Sequence, residues 1–269
     1  MRPRFSVVTP TFNQAHFIRG TIDSVLEQRG EFDLEYHVVD AESTDGTQAI
    51  LRDYKGRLEW SSEADHGQAD AINKGLRRCS GAIVGWLNSD DTLLPGALER
   101  VAGAFRDHPG LEWVHGRCRI IDENDRPIRR AIELYKHLRC QHYSLGSLLA
   151  ENFVSQMTVF WRRETMEAIG LLDETLRFAF DYDLWLRLAR RGDPVYIPTP
   201  QACFRWYESS KSGASFRQQF AEDTRVAERH VGSRWWPKAR KQATNAAIVG
   251  VYEALAAVRR LGLGRRTSS

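Results

Sequence analysis

At 269 residues, with 42% hydrophobic residues and a net charge of +3, the chain has the composition of a globular protein of one large domain, or one domain with an appendage. Charge this close to balance, with no stretch alternating basic and aromatic residues, leaves no footprint for nucleic acid. No apolar run is long enough to span a bilayer, no signal peptide precedes the first strand, and the cysteines (Cys79, Cys118, Cys140, Cys203) have no CxxC spacing. They read as buried free thiols of a reducing compartment, which places the chain in the cytoplasm.

Taken in chain order, the first half alternates strand and helix signals. Phe5-Ser6-Val7-Val8-Thr9 predicts a strand ended by Pro10, and Phe17, Ile18, Ile22, Val25 and Leu26 share one face of a helix. Leu34 to Val39 predicts the next strand, ending at Asp40. Ser43-Thr44-Asp45-Gly46 then forms a turn that starts a helix carrying Ile50, Leu51 and Tyr54; Asp before Gly makes Asp45 a turn residue. A third strand spans Leu58 to Ser61. Gly67 to Cys79 is helical with Ala71, Ile72, Gly75 and Leu76 inward, and Ala82 to Leu87 is a buried strand. Such repetition predicts a mostly parallel α/β sheet with right-handed crossovers, whose ligands bind outside the carboxyl ends of the strands. Thr9-Pro10-Thr11, Asp40 and Asp90-Asp91 all fall at those ends.

The second half is more irregular. Trp113 to Ile121 predicts one or two strands, followed by a turn at Asp122 to Asp125, and residues 135–156 read as loop and short helix. Met157 to Trp161 reads as a strand, Arg163 to Ile169 and Asp181 to Arg191 as helices, and Val195 to Ile197 as a short strand closed by two prolines. From Ser215 onward the chain reads as mostly helical.

The densest chemistry lies in Asn88-Ser89-Asp90-Asp91, directly after a buried strand. Two adjacent carboxylates repel, so a fold that brings them together at a strand end supplies a cation. Carboxylate and hydroxyl oxygens are hard ligands suited to Mn2+ or Mg2+ rather than zinc. The competing reading is a polar turn before the helix that starts near Pro95.

Five motifs in order resemble those of family 2 inverting glycosyltransferases of the GT-A fold, from about Phe5 to about Ser212. They are Ser6-Val7-Val8-Thr9-Pro10-Thr11-Phe12-Asn13, Val38-Val39-Asp40 with Ser43-Thr44-Asp45-Gly46-Thr47, Asp65 through Gly75, Asn88-Ser89-Asp90-Asp91, and Phe180 through Arg187. The resemblance implies a GT-A Rossmann-like domain over 1–212, with a nucleotide-sugar half (1–115), an acceptor half (116–212) and a helical extension over 213–269. It implies a nucleotide-diphosphate sugar donor and a saccharide or lipid-linked acceptor in cell-surface polysaccharide or glycolipid synthesis. Donor contacts then fall to the Thr9, Pro10, Thr11 and Asn13 turn, to Asp40 as acceptor from the base, and to Asp65, Gln68, Asn73 and Asn88. Asp90 faces the ribose and Asp91 holds Mn2+ or Mg2+, a Lewis acid for the leaving diphosphate. Arg205 and Lys211 are either phosphate clamps or surface charges. Asp181 is the base for the acceptor hydroxyl, with Asp183 as competitor, and one displacement with one base inverts the anomeric centre.

This chain departs from the family pattern twice. Phe180 stands where a Glu often precedes the Asp, and Tyr207 stands near the usual place of a His beside the donor diphosphate. Tyr is a poor Mg2+ ligand at neutral pH, so the cation would rest on fewer protein oxygens, with diphosphate and water completing its shell. These departures keep open a second reading, a nucleotide- or carbohydrate-binding module that has lost catalysis. A nucleotidyltransferase would carry a Gly-rich basic loop after the first strand, and an oxidoreductase a GxGxxG there; Thr9 to Asn13 is neither. Residues 235–266 run basic, apolar, basic, a pattern for a helix at the inner face of a membrane or for one packed on protein.

Overall fold

The computed structural model describes residues 2–208, 216–231 and Lys241. The strands are β1 (Arg4–Thr11), β2 (Asp33–Asp40), β3 (Glu59–Ser62), β4 (Ile83–Trp86), β5 (Thr92–Leu93), β6 (Trp113–Ile121), β7 (Phe160–Arg162) and β8 (Val195–Arg205). The helices are α1 (Ile18–Leu26), α2 (Thr47–Asp53), α3 (Gln68–Arg78), α4 (Ala97–Asp107), α5 (Arg130–Gln141), α6 (Leu145–Ala150), α7 (Arg163–Ile169), α8 (Phe180–Ala189) and α9 (Phe216–Val231).

One sheet runs in the order β3-β2-β1-β4-β7-β6-β8-β5. β1 pairs parallel with β2 and β4, β2 with β3, and β6 with β8, while β7 is antiparallel to both β4 and β6, and β5 to β8. Two reversals across β7 restore direction. β1, β2, β3, β4, β6 and β8 therefore all point the same way and end on one rim, where an open α/β sheet places its ligands.

Each face of the sheet is covered. Phe5 and Val7 on β1 join Ile18, Ile22 and Val25 of α1 and Leu98 and Val101 of α4 in one core. Val8 faces the opposite way, with Ile72 and Leu76 of α3, Leu186 of α8, Val226 of α9 and four tryptophans (Trp86, Trp113, Trp161, Trp185). The alternation along β1 is the period of two that a strand buried on both faces requires. Gly75 sets how closely α3 lies on the sheet. A Cβ there would come within 2.3 Å of the Val8 side chain, so only glycine allows this approach.

Several expected boundaries move. β1 continues through Pro10 to Thr11, because the β4 ladder ends opposite Val8 and Pro10 lies where β1 has no partner on that side. β8 runs through Pro198 and Pro200 to Arg205, and the prolines fall where the pairing with β6 shifts register around Arg117. The stretch expected as loop and short helix over 135–156 begins with most of a twelve-residue helix, α5. Leu134, Tyr135 and Leu138 of α5 face outward and Cys140 is its one buried residue, so no inward apolar stripe marked it. Met157 falls in a 3-10 turn, and the strand expected from it starts at Phe160. All four cysteines are free and buried. No helix among the described residues is long and apolar enough to cross a membrane. The expectation for residues 235–266 falls, apart from Lys241, outside the described residues, as does Lys211.

Candidate active site

The parallel strands bring the predicted donor residues to the rim, each by a different device. At the end of β1, Thr9 is fully buried and its hydroxyl meets Tyr36 OH at 2.9 Å, so this side chain belongs to the core. Pro10 and Thr11 lie opposite Val39 and Asp40. Thr11 Oγ1 is buried without a hydrogen-bond partner. Asn13 takes the left-handed conformation at φ 51°, which Asn tolerates better than most residues. Its N–H donates to Ser43 Oγ (2.8 Å) and its Oδ1 accepts from Thr44 N (2.9 Å), joining the first two motifs. Asp45 accepts from Thr47 N, Thr47 Oγ1 and Ala15 N, which holds the turn before α2 as expected.

Asp40 closes β2 with no exposed surface. Its Oδ2 accepts from Ser43 N (3.1 Å) and Ser62 Oγ (2.6 Å), while Oδ1 has no partner. A buried acceptor left unpaired is costly, and a donor from a ligand would satisfy it. Asp65 Oδ1 accepts from Gly67 N at 2.8 Å, shaping the turn into α3. Gln68 Nε2 donates to Asn88 Oδ1 (2.9 Å), and Asn88 Nδ2 donates to Asp91 Oδ2 (3.3 Å). Asn73 does not join them. Its amide bridges Leu172 N, Leu172 O and Glu174 Oε1, bracing α3 to the loop that precedes α8.

The two adjacent aspartates differ sharply. Asp91 is fully buried; Oδ1 accepts from Arg205 N (2.9 Å) and Oδ2 from Asn88. Burial, and then the neighbouring Asp90, push its carboxyl well above the usual range. Asp90 is half-buried and also raised by burial, with Tyr207 OH donating to its Oδ2 at 3.0 Å. Tyr207 thus holds the first aspartate, and its ring packs on Phe17. Arg205 is committed: its guanidinium donates to Asp90 O, Asp122 O and Asp125 Oδ1. It ties the Asp90 loop to the Asp122–Asp125 turn, with little left to clamp a phosphate.

α8 carries the remaining carboxylates. Its first turn packs on the end of β4: Trp185 stacks on Trp86 (5.4 Å between rings, 14° between planes) and Phe180 lies 6.4 Å from Trp86. Asp181 precedes Trp185 by one turn and so shares its face of α8. It is half-buried, and its Oδ1 accepts from Tyr182 N. Asp183 is occupied elsewhere. Burial alone would raise it, but the His230 hydrogen bond (2.9 Å) and Arg187 Nε (2.8 Å) hold it below the usual range. Sequence reasoning passed over the Trp86–Trp185 stack and Gln156, whose Nε2 donates to Trp86 O at 2.7 Å. It read the chain from Ser215 onward as mostly helical but did not seat α9 in this core, which Val226 and Ala227 join.

Residues 6–165 match the family model for Glycosyl transferase family 2. The chain belongs to that family. Among its family relatives, the O-antigen biosynthesis protein RfbC of Myxococcus xanthus is 35% identical over 225 residues, covering 80% of this chain and 16% of that one. The chain spans at most 59% of the length of the first curated relatives it matches. Residues 1–349 of S. aureus TarS, in complex with UDP-GlcNAc, superpose with a TM-score of 0.67 at 18% identity, covering 99% of this chain and 76% of that one. The mannosyltransferase PcManGT of Pyrobaculum calidifontis, in complex with GDP-Man and Mn2+, gives 0.61 at 22%, covering 98% and 82%. These likenesses establish the GT-A α/β fold for the family 2 chain.

Proposed function

We propose that this family 2 chain transfers a sugar from a nucleotide-diphosphate sugar to an acceptor hydroxyl, inverting the anomeric centre, during assembly of a cell-surface polysaccharide or glycolipid. One observation carries the reading. The end of β4, four residues before the paired aspartates, and the start of α8, which carries Asp181, are packed together through Trp86, Phe180 and Trp185. A donor-side acidic pair and a second carboxylate on a neighbouring helix are what a single displacement needs. RfbC, by its name, serves O-antigen biosynthesis, and the solved neighbours bind UDP-GlcNAc and GDP-Man, which agrees with this substrate class.

The unpaired Asp40 Oδ1 and the Thr11 hydroxyl supply acceptors for the nucleotide on the β1–β2 rim. The acidic pair offers hard carboxylate oxygens of the kind a divalent cation such as Mn2+ or Mg2+ takes; among the described residues no cluster of three His, Cys, Asp or Glu side chains gathers, so diphosphate and water would complete the shell. Asp90 would face the ion while Asp91 holds the loop from beneath, in place of the expected roles, Asp91 as ligand and Asp90 toward the ribose. Bound there, Mn2+ or Mg2+ would supply Lewis-acid stabilisation of the leaving diphosphate. Asp181 takes the proton of the acceptor hydroxyl as its oxygen bonds to the anomeric carbon and the bond to diphosphate breaks. Asp183 is the weaker candidate because His230 and Arg187 already occupy it.

The test is thermal shift with UDP, GDP, dTDP and their sugars, with and without Mn2+. Binding to the native state raises Tm with affinity. A selective, Mn2+-dependent shift lost in Asp90→Ala supports the donor site and names the nucleotide. Shifts with release of nucleoside diphosphate that persists in Asp181→Asn would remove the base assignment. Binding without turnover on any acceptor would favour a module that has lost catalysis.

A further inference from the structure

Asp181 sits in a turn whose backbone is held from far along the chain. The Glu222 side chain on α9 is buried, 5% exposed. Its carboxylate accepts from three consecutive backbone N–H groups: Arg177 N (3.2 Å), Phe178 N (2.5 Å) and Ala179 N (2.7 Å). These residues lead directly into α8, and none of the α8 end groups finds a side-chain cap from its own Ala179. Among the first residues of a helix the N–H groups have no intrahelical acceptor, and a carboxylate there is stabilised by the helix dipole as well. Glu222 therefore pins, from 43–45 residues away in the chain, the three residues that lead into α8 and end at its N-cap Ala179; the N–H groups it accepts from lie just before those that an N-cap side chain serves.

Two further contacts seat α9 on the same helix. His230 Nε2 lies 2.9 Å from Asp183 Oδ1, and Arg190 Nη2 donates to His230 O at 2.6 Å. Val226 and Ala227, between them, are buried in the core with Trp86 and Trp185. Asp223, next to Glu222, is also buried; burial and the nearby Asp181 and Glu222 carboxylates push it up to about 7, while Lys241 and Lys136 pull it down. α9 thus reaches α8 at its start and its middle.

We infer that Glu222 is a positioning residue for Asp181: its carboxylate fixes the 177–179 backbone, and so the direction in which the first turn of α8 presents Asp181 to the acceptor. This rests on the transferase reading for its catalytic consequence, but the backbone hold stands on hydrogen bonds alone. A helix beyond the residues matched by the family model would then be part of the acceptor-side machinery.

The experiment joins two readouts on the full chain: amide hydrogen exchange over residues 177–183, and release of nucleoside diphosphate from UDP-GlcNAc or GDP-mannose with Mn2+. In Glu222→Ala, exchange at 177–183 speeds up while residues 88–91 exchange as in wild type. kcat falls about 100-fold, the scale of an ångström-level misplacement, and the donor KM stays unchanged. Glu222→Gln, which keeps one acceptor oxygen, restores most of kcat. Arg229→Ala, which removes only an exposed α9 ion pair to Asp173, changes neither readout. If Glu222→Ala does not fold, Glu222→Gln carries the test through its intermediate exchange rate and kcat. Wild-type exchange at 177–183, or faster exchange with unchanged kcat, overturns the inference. Faster exchange with no turnover by wild type on either probe leaves the backbone hold standing and removes the transferase reading instead.

Discussion

The donor rim and the α8 turn solve the same problem, holding polar groups in place over an apolar sheet, by opposite means. On the rim, many partners are close in sequence or are delivered by adjacent parallel strands: Asp45 with Thr47, Asp40 with Ser43, Asn88 with Asp91; the long-range exceptions are Arg205 on Asp91 and Tyr207 on Asp90. On α8 they come from afar, with Glu222 and His230 on α9 and Asn73 on α3 fixing the flanks of Asp181. Local hydrogen bonds survive small shifts of packing. A turn held from another helix moves whenever that helix moves. The rim should therefore tolerate perturbation of the core better than the α8 turn does.

The sharpest break in that comparison is Asp181→Asn. General-base catalysis contributes about 10²–10⁴-fold, so steady-state turnover should fall by that factor while nucleotide binding, read by thermal shift, stays at the wild-type level. A parallel loss of nucleotide binding would mean that the two regions are not separable. Next is Trp185→Ala, which removes the stack on Trp86 and opens a cavity costing about 3–5 kcal/mol, measurable by urea denaturation. Turnover should fall further than donor affinity, since the stack joins the α8 turn to the end of β4.

The two aspartates sharpen the picture within the rim. Asp91→Ala leaves Arg205 N–H and the Asn88 amide without their acceptor, at a cost of about 1–3 kcal/mol. Asp90→Ala should leave Tm close to wild type yet abolish Mn2+-dependent stabilisation by nucleotide. Comparing Tm of both variants with and without UDP or GDP and Mn2+ separates the buried anchor from the carboxylate proposed to face the ion. Equal losses of Tm would erase the distinction.

The smallest effect belongs to the opposite end of the strands, near the start of β2. Glu35 would be raised by burial, but hydrogen bonds from the Ser6 hydroxyl and from Ser80 hold it at about 2. A carboxyl lowered from about 4.3 in the unfolded chain adds stability that is complete above that value and is lost as pH falls toward 2. Glu35→Gln should flatten this part of the stability–pH curve, measured by denaturation between pH 5 and pH 2 on the order of those two values, and leave turnover at neutral pH untouched.

Much of the first half of the chain was legible because its rules are local. A strand of alternating apolar residues, a turn residue before Gly and a pair of carboxylates after a buried strand each announce themselves within a few positions. The ends of β1 and β8 were misplaced because proline tolerance depends on whether a neighbouring strand is present. α5 was missed for the same class of reason, since its apolar residues face outward. At the site, the motifs identified Asp90, Asp91 and Asp181 but not their inequalities. Nothing in Asn88-Ser89-Asp90-Asp91 tells which carboxylate is buried, and nothing in Phe180-Asp181-Tyr182-Asp183 tells which one His230 occupies.

By itself, then, the sequence determined the order of strands and helices in the first half, the mostly parallel sheet and the identity of the acidic residues on its rim, because periodicity and turn chemistry act over a few residues. Only the tertiary structure decided that Asp91 faces inward, that Arg205 is spent on two loops, that Asn73 braces α3, and that α9 holds the turn bearing Asp181. Those outcomes depend on which polar groups meet after burial, and burial brings together residues as far apart as Asp91 and Arg205, 114 positions along the chain. Hydrogen bonds at that range follow from packing, and packing is settled by the whole core.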